Sequence, residues 1–87
     1  MSLSIYCHNL GKMSAKELRA EAVAKLRDWF ERRKHRDRDP TQDLAWERTL
    51  CCRDEVERRA MRGEYGAEMT PTLMWEEIQR EAEGVKT

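Results

Sequence analysis

Eighty-seven residues, 39% of them charged and 7% aromatic, fit one domain and exclude a second with a core of its own. Seventeen basic and seventeen acidic side chains cancel to zero formal charge, so long-range attraction to nucleic acid is weak. Seven Leu, three Val and two Ile, helped by five Met and three Trp, make a core that stabilises a lone domain only modestly, which invites a partner or a second copy.

At the N-terminus Leu3, Ile5 and Cys7 alternate with Ser2, Ser4 and Tyr6. Alternation suits a strand, but a strand needs a partner and no second one follows. Residues 1–13 therefore read as an extended N-terminal arm, lying over helices or pairing with a second copy, with "NLGK" as a turn. The stretch reads as no signal peptide, since it lacks a basic start and an apolar run of roughly 7–15 residues. No segment approaches the ~20 apolar residues of a membrane span. Cys7, Cys51 and Cys52 are an odd count that cannot close a disulfide framework, so the expected setting is a reducing cytoplasm.

Residues 14–84 read as a single helical domain. The first helix, about 14–37, opens with Ser14 and Glu17 at capping-box spacing, flanked by Met13 and Leu18 at staple spacing. Ala15, Leu18, Ala22, Val23, Leu26, Trp29 and Phe30 form one apolar arc, after which the face turns to charge. Arg32, Arg33, Lys34, Arg36 and Arg38 crowd the last turns, where cations complement the helix dipole.

"DPTQ" ends that helix and starts the next, about 40–62, with Asp39 as N-cap, Pro40 at the first position and Gln42 placed to reach back. Gly63 is its exit. The apolar arc of this second helix is broad and divided. Ala45, Cys52, Val56 and Ala60 make one stripe, and Trp46, Leu50 and Met61 another, with Arg53 and Glu57 between them at pairing distance. The loop "GEYGAEMTP" leads to a third helix, about 70–83, capped by Thr70 with Pro71 next and a Met69–Met74 staple. Met74, Trp75, Ile78, Ala82 and Val85 share its inner face. The expected fold is all-α: a small three-helix domain, a helical hairpin plus a shorter third helix, with the extended arm.

Charge is unevenly spread. Ala15–Arg38 holds nine basic and five acidic residues, and Glu64–Thr87 six acidic and two basic. The plainer reading is a match between helices of one fold; the sharper one is a basic patch for phosphate or an acidic protein.

No constellation for catalysis emerges. "HRD" at His35–Asp37 spells part of a kinase catalytic loop, but Gln42 stands where the motif needs Asn. Cys7–His8, His35 and Cys51–Cys52 are scattered and fit no common metal-ligand spacing. Cys52 lies on the inner stripe as a small hydrophobe, and Asp54–Glu55 and Glu76–Glu77 read as solvated pairs whose members diverge. No glycine-rich phosphate loop occurs. No enzyme activity, cofactor or metal is expected.

Two surfaces look unfinished: the Trp46, Leu50, Met61 stripe, and Arg32, Arg33 and Arg36 beside Trp29. The leading expectation is a non-enzymatic protein that binds a macromolecular partner, another protein or its own copy, as adaptor or inhibitor through those six residues. Short, charged helical chains of this kind occur among phage and mobile-element inhibitors of host proteins and defence complexes, an analogy that rests on no motif. The alternative is a small nucleic-acid-binding regulator using the basic end of the first helix.

Overall fold

The computed structural model describes residues 3–34 and 40–84, with their side chains except at 40 and 41. Among these residues the chain is all-helical, in four helices: α1 Leu3–Gly11, α2 Ala15–Arg33, α3 Pro40–Met61 and α4 Pro71–Glu83. The sequence reading of three helices is thus one short.

The added helix is the stretch read as an extended arm. Leu3, Tyr6, Cys7 and Leu10 stand at i, i+3, i+4 and i+7, a helical stripe hidden beneath the alternation. In α1 that stripe turns inward: Leu10 is fully buried and Tyr6 packs on the core, while Ile5 is 54% exposed. No strand occurs among the described residues, so an extended segment would have left its backbone groups without a ladder.

The local signals at the starts of α2 and α4 hold. The Glu17 N–H donates to Ser14 Oγ at 3.2 Å, and the Ser14 N–H donates to Glu17 Oε1 at 3.1 Å, completing the capping box of α2. Thr70 Oγ1 accepts from the Leu73 N–H at 3.2 Å, with Pro71 opening α4. Gly63, just past α3, has φ of 80°, a left-handed conformation that only glycine adopts without strain. The first long helix is shorter than its charge run suggests: α2 ends at Arg33, with Lys34 as its cap. His35–Asp39, which hold Arg36 and the expected Asp39 cap, lie outside the described residues, as does Val85. Ala15, assigned to the apolar arc, is exposed.

The helices alternate up and down. Arg32 meets Gln42, Trp29 meets Trp46 and Lys25 meets Thr49, so numbers fall along α2 as they rise along α3, the signature of an antiparallel hairpin. α4 runs alongside α2, and α1 lies on the opposite flank of α3. α3 is therefore the central helix, packed by all three others, which is why its apolar arc is so broad. The core joins Leu10 of α1 with Leu18, Val23 and Leu26 of α2, Cys52 and Val56 of α3, and Met74 and Ile78 of α4. The opposed charges of the two halves are partly matched across helices. Arg19 reaches Glu77 at 3.5 Å and Glu81 at 3.6 Å, and Arg27 donates to the carbonyls of Glu81 and Ala82 at the end of α4.

One buried charge departs from the sequence reading. Glu55, read as a solvated carboxylate, is 5% exposed and accepts from Arg59 Nε at 2.9 Å, itself 6% exposed. The same guanidinium donates to the carbonyls of Leu10, Gly11 and Met13 at 3.1, 3.3 and 2.7 Å. Leu10 and Gly11 close α1 and Met13 lies just past it, so Arg59 caps one helix from within another.

Candidate functional site

Three tryptophans, one from each of α2, α3 and α4, line a single groove of about 380 Å³. Its floor is Leu26, which belongs to the core, and its walls are Trp29, Phe30, Trp46, Leu50 and Trp75. Antiparallel pairing of α2 and α3 sets Trp29 against Trp46 with ring centroids 4.9 Å apart and planes tilted by 40°. That geometry lets the edge of one indole meet the face of the other. Trp29 and Trp75 are half-buried, whereas Trp46 is 40% exposed.

The charged residues of the groove come from the same faces. Arg53 and Glu57 pair at 3.0 Å, as their spacing anticipates. They do not divide core from interface, however; both line the groove, continuing the row begun by Trp46 and Leu50. Arg33 reaches over Phe30 with its guanidinium carbon 5.0 Å from the ring centroid, and Glu76 adds an acidic edge.

Of the six residues singled out from sequence, three line this groove. Trp46 and Leu50 share the groove with Arg33. Met61 stands one turn beyond Glu57 on the same row, past the end of the groove, and is 79% exposed. Arg32 Nε donates to Asp28 at 2.9 Å along its own helix. Arg36 lies outside the described residues. The basic end of α2 is in part self-neutralised, since Lys25 pairs with Glu21 at 3.2 Å and Lys34 with Glu31 at 3.2 Å.

What sequence reasoning missed is that Trp29 and Trp75 complete the wall around Trp46. Each was assigned to an inner face, and the signal that could have joined them is that all three stand at the edges of their apolar arcs. A second cluster was also missed. Cys7 and Cys51 lie in contact, with Cys52 next to Tyr6, whose hydroxyl is 3.2 Å from Glu21 and 3.4 Å from the Cys52 sulfur. Burial is the main reason the Cys52 thiol is pushed up to about 11, and it likewise raises the Tyr6 phenol far above its ordinary value. No group of three or more His, Cys, Asp or Glu side chains suited to a metal occurs among the described residues. No helix there is long and apolar enough to cross a membrane.

Comparison of the chain with known protein families, with curated proteins and with solved structures finds no match.

Proposed function

We propose that this chain is a small non-enzymatic helical protein that docks on another protein through the indole groove, as an adaptor or inhibitor. The observation that carries the reading is the convergence of Trp29, Trp46 and Trp75 on one open groove. Tryptophan and arginine are the residue types most often found where a few side chains supply most of an interface's energy. Here Trp46 leaves 40% of its surface in water beside an apolar floor, and Arg33, Arg53, Glu57 and Glu76 form a charged border. An apolar centre inside a polar rim is the anatomy of a protein interface. The partner we infer presents one or two large apolar side chains to the groove, flanked by charges of both signs. The size and composition of the chain fit the analogy with phage and mobile-element inhibitors, and its free thiols fit a cytoplasmic setting.

The competing reading, a nucleic-acid binder using the end of α2, has less support, because Lys25, Arg32 and Lys34 each engage a carboxylate of their own helix. The test is affinity capture from the native host with nucleases present, using the intact chain and Trp46→Ala. A specific protein should be captured by the intact chain and reduced at least tenfold by the substitution, with an unchanged helical circular dichroism spectrum. Equal capture by both would end the proposal. Unfolding of Trp46→Ala would end it too, by showing that the indole serves the core. Retention on DNA or RNA that falls steeply with salt and vanishes when Arg32, Arg33 and Arg36 become Glu would favour the competitor instead.

A further inference from the structure

α1 and α3 bring two thiols from distant parts of the chain into contact: Cys7 Sγ and Cys51 Sγ are 2.7 Å apart, across 44 residues of sequence. Both cysteines are half-buried and both are free. An S–S bond is about 2.05 Å long, so closure asks the two sulfurs to approach by less than about 1 Å. The third cysteine is no competitor, since Cys52 is fully buried and held against the Tyr6 hydroxyl. The pair also sits where a covalent tie would matter most. α1 has a single buried side chain, Leu10, and is otherwise held by Tyr6 and by the donation of Arg59 to its last carbonyls.

We propose that Cys7 and Cys51 are a redox pair, which a peroxide closes to an intramolecular disulfide that ties α1 to α3. The Cys7 thiolate attacks one oxygen of hydrogen peroxide; the O–O bond breaks, and the departing hydroxide takes up a proton to leave as water. Cys7 is then a sulfenic acid. The Cys51 sulfur attacks that sulfur, the S–O bond breaks, and the second hydroxide leaves as water with the Cys51 proton. Two thiols are oxidised and one peroxide is reduced to two waters. Burial, with the hydrogen bond from Cys7, pushes the Cys51 thiol up to about 12, so the first attack falls to Cys7 and Cys51 resolves, its sulfur attacking as its proton passes to the departing hydroxide.

The experiment takes the full chain, reduced and desalted, and exposes it to hydrogen peroxide. Titratable thiols should fall from three to one, the intact mass should drop by two hydrogens, and proteolysis should yield one peptide pair joined through Cys7 and Cys51. The melting temperature should rise by roughly 10 °C or more and return on addition of dithiothreitol. Cys7→Ser and Cys51→Ser should each lose both the mass change and the shift, while Cys52→Ala keeps the mass change. Dimers joined between chains, oxygen adducts without closure, a link through Cys52, or closure without a rise in melting temperature would each overturn the proposal. The peptide map of the unsubstituted chain decides the pairing even if a variant folds poorly.

Discussion

Replacing Arg59 with Leu tests whether a buried ion pair holds α1 on the body of the domain. The substitution keeps a large apolar stem and removes the guanidinium that serves Glu55 and three carbonyls of the α1 end. Breaking a buried pair by deleting one partner typically costs about 3–5 kcal/mol, because the other charge stays behind without compensation. Glu55 retains Arg58, whose guanidinium donates to it at 2.8 Å from a largely exposed position, so the lower end, about 3 kcal/mol, is expected. In a domain of this size that is a fall of roughly 10–25 °C in melting temperature. Urea titration followed by circular dichroism measures it, and amide exchange should show faster opening of residues 6–10 than of α3. The control is Arg53→Leu, which breaks a pair at the same i,i+4 spacing whose side chains are 49% and 37% exposed. That loss should stay below about 0.5 kcal/mol. If Arg59→Leu costs less than about 1 kcal/mol, or α1 exchanges no faster, then Arg59 is not what fastens α1.

The same pair sets an acid response. Burial alone would raise the Glu55 carboxyl, but hydrogen bonds from Arg58 and Arg59 outweigh it and hold the group below its ordinary value of 4.5. The unfolded chain therefore takes up this proton first, so the stabilisation is complete above about pH 4.5 and is lost as pH falls through the lower folded value. Urea midpoints from pH 6 to 3 should decline in that window, and less steeply in Glu55→Gln. Thr70→Ala removes the side chain that accepts from the Leu73 N–H and should cost about 1 kcal/mol in the same titration, whereas Thr70→Asn should preserve stability. Met61→Glu, at a position 79% exposed and outside the groove, should leave both the melting temperature and partner capture unchanged. A loss of capture there would extend the docking surface along α3.

Much of the architecture is written in local chemistry. Ser14 with Glu17, and Thr70 with Pro71, fix the starts of α2 and α4 through groups that only neighbours in sequence can satisfy. The periodicity of the apolar residues likewise marks Leu18, Leu26, Cys52, Val56 and Ile78 as core, and all five are buried. What stayed hidden depends on groups far apart in the chain. The N-terminal stretch fits two periods at once, and only the presence of α3 as a surface for Tyr6, Cys7 and Leu10 decides for a helix. Glu55 and Arg59 look like any solvated pair until the carbonyls at the α1 end supply acceptors that justify burying an arginine. The meeting of Cys7 with Cys51 follows from that same docking.

Recognising α1 changes how the broad apolar arc of α3 must be divided. A central helix with three neighbours needs apolar contact on most of its circumference, so breadth alone is no argument for a partner. The inner stripe, Cys52 and Val56, is spent on the core, and the flank bearing Arg48 and Cys51 faces α1. Trp46 and Leu50 remain, on the side where α2 and α4 flank α3 without closing over it. The body measures 42 × 35 × 17 Å, flat rather than round. Among the described residues, four of the twelve buried apolar side chains are alanines, which add little apolar area to the core. The groove is thus the place where a sparse core in a flat body leaves its largest side chains half in water. A partner that covers Trp46 would supply burial that the domain cannot provide for itself.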